Sequence, residues 1–376
     1  MIFSFKITST VLYSHLSSIS RVIASKSAMP ILECFLLDLQ DGKLLITAAD
    51  RDTRICTGVE VASQEGTGRI ALKAKMLMEA LKEMYEQPIE ITVYDDLRVR
   101  FTYRNGQFDL VGAKPDEYPT DKKLTGTTQK LEVSSALLKN GLEHTLFAVS
   151  LDNMRPCMTG VFFDITTDSI TFVASDGHML MKYKNSTVEA EQATSFILPA
   201  KPGQLLKGIL KGTEDDMVTV EFDGQHAIFI MEYAKMTCRL IEDNYPAYNN
   251  VIPTNNPYRI IVDRQDLLGA LKRVQVFTSQ ENNLVRLDIA DQNIKVTAQD
   301  LDFSIAGEET VPCQYTGDNV KIGFKSKLLI EQLGACDSDM VEIQLADPTR
   351  PGIFVPVDSE DNSELTMLLM PLLLND

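Results

Sequence analysis

Three pairs of residues have the types and spacing of a metal or acid/base site: Asp50 with Asp52, Asp176 with His178, and Asp300 with Asp302. Carboxylates one residue apart can hold Mg²⁺, which takes oxygen ligands and keeps several of its waters. Each pair, however, ends a run of alternating apolar residues, and the second offers an imidazole where the others have a carboxylate. The three are therefore read as caps of recurring turns. Ser175, Asp176 and His178 contain the residue types of a hydrolytic triad, but neighbours at one strand end cannot aim nucleophile, base and orienting group at one another. Gly66, Gly68 and Ala71 in GTGRIA fit a permissive G-x-G-x-x-A dinucleotide pattern. Yet QEGTG lies between two strand-like runs with no βαβ succession after it, and is read as a hairpin turn. No G-x-x-x-x-G-K-[ST] is present, which removes the usual cradle for a nucleoside triphosphate. His15, His144, His178 and His226 share neither an i, i+4 spacing nor ligand spacing to a cysteine, so zinc is set aside. This reading contains no metal, no cofactor and no active site.

The elements that position those aspartates recur three times. PILECFLLDLQDGKLLITAAD ends at Asp50, PCMTGVFFDITTDSITFVASD at Asp176 and NLVRLDIADQNIKVTAQD at Asp300, at intervals of 126 and 124 residues. Each reads as two strands around a polar turn. Upstream, residues 8–26, 134–150 and 263–279 show helical apolar spacing. Downstream, Lys75, Lys201 and Lys325 each follow an aspartate by 25 residues and open a second helical pattern. A strand pair comes next, and each copy closes on a short strand ending at Pro119, Pro246 or Pro371. Polar segments at 120–129 and 253–258 separate the copies. The expectation is α+β, with domains at 1–122, 123–253 and 254–376, each carrying two amphipathic helices on one face of antiparallel strands.

The chain has 376 residues, 44% hydrophobic, with 36 Lys and Arg against 53 Asp and Glu, a net charge of −17. Such an acidic protein is not expected to coat a polyanion. The charge is segregated, though: the six helical stretches with their opening lysines hold 14 basic and 6 acidic residues, net +8, leaving −25 elsewhere. Helices gathered on one surface would give the basic footprint of a duplex held loosely through its phosphates. No window reaches the ~18 to 20 uninterrupted apolar residues of a membrane helix. The start, MIFSFKITST, has neither the basic nor the apolar region of a signal peptide. Cys34, Cys56, Cys157, Cys238, Cys313 and Cys336 are scattered without a C-x-x-C and are read as reduced and mostly buried, implying the cytoplasm. The tail LTMLLMPLLLND is either the cap of the third domain's core or, where exposed, a partner site.

Three tandem α+β copies, M-P-I-L at 29–32, S-D-G-H at 175–178, N-Y-P-A-Y at 244–248 and a terminal M-P-L together resemble the bacterial sliding clamps, the β subunits of DNA polymerase III, over essentially the whole chain. The resemblance implies three repeats of the DNA-clamp fold and a head-to-tail homodimer closing a six-domain ring, helices inside and sheet outside. It implies a non-catalytic factor that encircles duplex DNA, tethers the replicative polymerase for processivity, and docks the clamp loader, repair polymerases and mismatch-repair proteins. Its place would be the cytoplasm, at the nucleoid when loaded. A ring held by topology can be acidic overall if its lining slides along phosphates without reading bases. By position, that lining is Lys26, Lys73, Lys75, Lys201 and Lys325. The resemblance further implies a dimer contact of Phe108 and Leu110 on Val276 and Phe277, with Arg100 and Arg104 near Glu308 and Glu309. Carried over from the resemblance, the partner-peptide groove would use Arg155, Met158, Ser175, Gly177, His178, Leu180, Pro246, Asn250, Val251, Met370, Pro371 and Leu372. Three departures from the family pattern, Met179, Leu373 and the extension Asn375 with Asp376, imply a more apolar, less basic groove. The competing readings are a repeat scaffold that binds only proteins and a small-molecule enzyme.

Overall fold

A computed structural model describes residues 2–300, 302–358 and 362–374; Asn375 and Asp376 lie outside them. Among the described residues six α-helices form where apolar residues recur at helical spacing. α1 (Ser9–Ser20) buries Leu12, Leu16 and Ile19, and α2 (Ala74–Lys82) buries Leu77 and Leu81. α3 (Ser135–Thr145) buries Leu138 and Leu142, and α4 (Ala200–Ile209) buries Leu205 and Leu206. α5 (Arg264–Val274) buries Leu267, Leu271 and Val274, and α6 (Ser326–Gly334) buries Leu329 and Leu333. The first helix of each repeat is shorter than its apolar spacing suggests. α1 stops at Ser20, where the Val22 amide donates to the Ile19 carbonyl and the Val22 side chain is buried. α3 and α5 pass into single 3-10 turns, Leu146–Ala148 and Gln275–Phe277.

Each repeat also opens with a strand that the sequence reading left out: Phe3–Thr8, Gln129–Ser134 and Tyr258–Asp263. A third strand follows the second helix and its strand pair: Gly106–Val111, Ala234–Arg239 and Ser363–Leu369. The expected closing strands at Pro119 and Pro246 do not form. Pro115–Glu117 is a 3-10 turn, and residues 243–246 are irregular. Only the third copy runs a strand almost to its proline, ending at Leu369.

The chain divides into two compact units. One runs to Leu138 and includes Gln204–Leu240; the other holds Lys139–Gly203 and the chain from Ile241 onward. The central repeat thus lends one sheet to each unit. In the first unit, an eight-stranded sheet pairs Ala234–Arg239 of the second repeat with Thr53–Glu60 of the first. That unit also holds a five-stranded sheet ordered Ser63–Glu65, Phe3–Thr8, Pro88–Val93, Arg98–Tyr103, Gly106–Val111. In the second unit, a twelve-stranded sheet pairs Met179–Asn185 of the second repeat with Ser363–Leu369 of the third. Its interior is aromatic: Phe163 lies edge-on to Phe172 at 4.7 Å and stacks on Phe196 at 4.4 Å. Each such buried side chain contributes roughly 1.5–3 kcal/mol.

The GTGRIA turn is not a hairpin. Ser63–Glu65 pairs with Phe3–Thr8, whereas Gly68–Lys73 pairs with Cys34–Gln40, so the segment steps from one sheet to another.

The repeated aspartates are turn caps. Asp50 Oδ1 accepts the amides of Asp52 (2.9 Å) and Thr53 (2.7 Å). Asp176 Oδ1 accepts those of His178 and Met179, both at 2.8 Å. Asp300 Oδ1 accepts those of Asp302 (3.0 Å) and Phe303 (3.3 Å). The third turn is two residues longer: Ala49 faces Arg54 and Ser175 faces Leu180, but Gln299 faces Ala306. In consequence α6 starts 26 residues after Asp300, whereas α2 and α4 start 24 residues after their aspartates. The lysine register shifts with it. Lys325 matches Lys73 at the position before the helix, and Lys327 matches Lys75 and Lys201 inside it.

Candidate functional site

In the second unit the strands Ile170–Ser175 and Met179–Asn185 meet at the turn that holds four of the expected groove residues and their neighbours. Ser175 Oγ donates to the Met179 carbonyl at 2.7 Å and accepts the Gly177 amide at 3.1 Å. Asp176 Oδ1 is likewise engaged by the backbone amides of His178 and Met179. Gly177 has φ +89°, which glycine alone adopts without cost. A Cβ there would lie 3.6 Å from the Arg155 guanidinium, which places Arg155 over the turn.

The tail joins this turn through its backbone. Met179 stands opposite Leu369 and Leu180 opposite Leu368. Beyond the strand the Met370 amide donates to the His178 carbonyl at 2.8 Å, and the Leu372 amide to the Gly323 carbonyl at 2.8 Å. Met367 through Leu369 are core, whereas Met370 is 40% and Leu373 73% exposed. The tail is therefore a core strand up to Leu369 and a surface segment after it. Met179 is only 3% exposed, so this departure alters the interior rather than the surface.

The floor is apolar. Leu180 packs with Val173, Ile353, Leu368 and Tyr248, backed by Phe162, Tyr245 and Ile252. Tyr245 stacks on Phe162 at 4.7 Å, and Tyr248 Oη donates to Asp164 Oδ2 at 2.7 Å. Burial pushes both phenols above their ordinary range, with the Asp164 hydrogen bond adding to the effect at Tyr248. Anchoring Tyr248 holds the 3-10 stretch Tyr248–Val251, on which Asn250 and Val251 are exposed, as is Pro246 before it. Met158 and Leu180 are buried, and Arg155, Gly177, His178 and Met370 are exposed. An apolar floor with exposed polar rims suits an extended peptide. Sequence reasoning missed Phe162, Tyr245 and Tyr248, although N-Y-P-A-Y contained both tyrosines. It also missed Leu151 and Met154, 93% and 87% exposed beside Arg155, which stood out only as apolar residues in a polar loop.

The lining candidates Lys26, Lys73, Lys75, Lys201 and Lys325 are all exposed, Lys26 on the loop after α1. The helical charge excess is smaller in effect than its count. Arg264 donates to the Ser338 carbonyl at 2.6 Å, Arg273 pairs with Glu309, and Lys211 pairs with Glu232 at 3.4 Å. Of the dimer candidates, Phe108 and Leu110 are half-buried on the edge strand Gly106–Val111, with Phe108 stacked on Phe101 at 4.6 Å. Arg104 and Val276 are exposed. Arg100 makes a two-pronged pair with Asp109 on its own sheet at 2.8 and 2.9 Å, while Lys295 holds Glu308 at 2.7 Å. These acids and Arg100 thus have partners within one chain. The Arg100 guanidinium, by hydrogen bonding, holds the Asp109 carboxyl below the usual range, and Arg273 does the same to Glu309.

The DNA polymerase III beta subunit matches along the chain in three parts: its N-terminal domain at 3–122, central domain at 132–247 and C-terminal domain at 249–372. The chain belongs to the DNA polymerase III β subunit family. It is 31% identical over 373 residues to the beta sliding clamp of Synechococcus elongatus, covering 96% of each chain. The beta sliding clamp of Staphylococcus aureus is 23% identical over 367 residues, again covering 96% of each. Among solved structures, the Bacillus subtilis sliding clamp superposes with a TM-score of 0.93 at 22% identity over 100% of both chains. The Thermotoga maritima β subunit gives 0.90 at 24% identity, over 99% of this chain and 100% of that one. The protein is thus a DNA sliding clamp of DNA polymerase III, a non-catalytic processivity factor made of three tandem clamp domains. None of its helices among the described residues is long and apolar enough to cross a membrane.

Proposed function

We propose that two copies of this β subunit close head to tail into a ring around duplex DNA, and that the observation carrying this reading is a pair of strand edges. Among the described residues, Gly106–Val111 pairs on one side only, with Arg98–Tyr103, and residues 305–311 of the strand Ile305–Gln314 pair only with Asn293–Asp300. Long unpaired edges invite another chain. Their repeat counterparts are paired: Ala234–Arg239 with Thr53–Glu60, and Ser363–Leu369 with Met179–Asn185.

The repeat also supplies a register. Cys238, Leu369 and Leu110 occupy one position, facing Ala227, Gly352 and Val99. Thr53, Met179 and Ile305 occupy another, one residue before Arg54, Leu180 and Ala306. Since Thr53 faces Cys238 and Met179 faces Leu369, Ile305 should face Leu110 of a second copy, and Gly307 should face its Phe108. A side chain on Gly307 would collide with the Phe277 ring, so Phe108 would settle beside Phe277, as the resemblance implies. Arg104 then approaches Glu309, and closure follows because a heterologous contact repeats until the rotation is complete.

In this reading the domains are 1–122, 123–253 and 254–376, and Lys26, Lys73, Lys75, Lys201 and Lys325 face the phosphates. The cleft around Ser175–His178, Tyr248–Val251 and Met370–Leu372 takes apolar-anchored segments of the replicative polymerase, the clamp loader, repair polymerases and mismatch-repair proteins. The site of action is the cytoplasm, at the nucleoid when the ring is loaded.

The test is retention on a singly nicked circular plasmid after loading by the cognate clamp loader and ATP, before and after linearisation. Loss on linearisation at moderate salt is the expected result. Equal retention on both forms would mean ordinary electrostatic binding. No retention with an active loader would leave a scaffold that binds only proteins.

A further inference from the structure

The junction inside the first unit has the backbone of the peptide groove with different side chains. The Arg239 amide donates to the Asp52 carbonyl at 2.9 Å, as the Met370 amide does to His178 at 2.8 Å. Counted from the turn aspartates and the paired strands, Arg51 stands for Gly177, Asp52 for His178, Arg54 for Leu180 and Arg239 for Met370. These residues surround a cavity of about 380 Å³, closed on another side by Pro119, Thr120 and Lys122 of the segment leading into the second repeat. That volume is within the roughly 300–1,000 Å³ of ordinary ligand clefts.

The cavity has a basic excess although the chain is acidic: Arg51, Arg54, Lys122 and Arg239 line it against Asp50 and Asp52. Asp50 Oδ1 serves two turn amides, and Asp121, just outside, holds Lys235 at 2.7 Å and lies 4.0 Å from Arg54. Arg54 donates to the Pro119 carbonyl at 2.6 Å, which fixes the wall. Arg51 and Lys122 are exposed and have no ion pair among the described residues. A concave site with an excess of one sign of charge concentrates ligands of the other, and guanidinium groups engage carboxylates through paired hydrogen bonds.

We propose that this cleft is a second peptide site, which takes a short extended segment carrying carboxylates and holds it through Arg51, Lys122 and Arg239. The proposal rests on the groove reading in one respect, that this backbone frame accepts an extended peptide; the side chains that select the ligand are its own. Charge complementarity favours carboxylates, and the concave shape favours a single strand of polypeptide over a duplex.

The test uses the full-length dimer and two fluorescein-labelled peptides in anisotropy titrations. One alternates glutamate and leucine; the other is an uncharged peptide of leucine and phenylalanine with serine spacers, aimed at the groove. The double variant Arg51→Glu/Lys122→Glu should weaken the acidic peptide at least tenfold, leave the uncharged peptide within twofold, and keep plasmid retention unchanged. Truncation after Met370 should do the reverse. Unchanged acidic-peptide affinity in the double variant, or no saturable binding to the wild type, would overturn the proposal. So would displacement of the acidic peptide by a single-stranded oligonucleotide at lower concentration than by unlabelled peptide, which would assign the cleft to phosphates. Failure of the groove reading is seen separately, as uncharged-peptide binding that survives the truncation.

Discussion

The two repeat junctions hold their strands by the same amide-to-carbonyl bonds, one closed by Arg239 on Asp52 and the other by Met370 on His178. One cleft is floored by Leu180, Leu368 and Tyr248, and the other is lined by Arg51, Arg54 and Arg239. Backbone pairing does not depend on which side chain a residue carries, provided the strand faces alternate. A repeat can therefore keep its architecture while its exposed positions change from apolar to cationic. What a cleft binds is decided by those few positions and not by the fold they stand on.

The most disruptive way to test this contrast is to exchange the side chains. Leu180→Arg puts a guanidinium into a cluster where Leu180 is 3% exposed. It should cost about 3–5 kcal/mol, read as a fall in the urea midpoint, since an unpaired charge is buried. The reciprocal Arg54→Leu removes a half-buried hydrogen bond to Pro119 and should cost only about 1–2 kcal/mol. Equal costs would mean that the two junctions are not chemically distinct.

Truncation after Met370 leaves the strand Ser363–Leu369 intact. It should weaken a groove peptide about a hundredfold, roughly 2.7 kcal/mol, without dissociating the dimer on a sizing column. Retained peptide binding would remove the tail from the groove.

Asp176→Ala and Asp50→Ala each remove the acceptor of two turn amides, and should lower stability by about 1–2 kcal/mol apiece. Similar values in urea unfolding would show that the shared backbone device contributes alike at both junctions. A large difference would show that the side chains also govern the turn.

The smallest effect is one of pH. Asp223 lies beside the cationic cleft; burial pushes its carboxyl upward, but the amides of Thr125, Gln225 and His226 outweigh this and hold it below the usual range. With the folded value depressed, its stabilisation is present above the unfolded value near 3.9 and is lost as the pH falls through the lower folded one. Hydrogen-exchange protection of the Gln225 and His226 amides should therefore drop a few-fold below about pH 4, with no matching step at Leu180 in its apolar surroundings. A drop already complete at pH 6 would assign it to another group.

Much of this was legible in the residues. The alternation around Asp50, Asp176 and Asp300 carried the hairpins and their caps, because a strand's two-residue period and an aspartate's reach to the amides two and three residues on are local properties. The opening strands were not legible: Phe3–Thr8 is short and merges with the helical spacing after it, and its partner Pro88–Val93 lies some eighty residues away. The strand Gly106–Val111 alternates weakly, being an edge with only half-buried side chains, and the prolines after it drew the reading past it. The basic cleft was missed for the same reason. Arg51, Lys122 and Arg239 are far apart in the chain, and only the pairing of Thr53–Glu60 with Ala234–Arg239 brings them together.

By itself, then, the sequence determined the threefold repeat, the turn caps, the absence of a phosphate loop and the family. All of these depend on residue type at fixed short spacing or on spacing repeated along the chain. Only the tertiary structure decided where α1 ends, which tail residues are core and which are surface, and that Met179 faces inward. It alone decided that the two junctions share one frame. Burial and strand pairing between distant segments are set by which surfaces meet when the chain closes on itself, and no local pattern encodes that meeting.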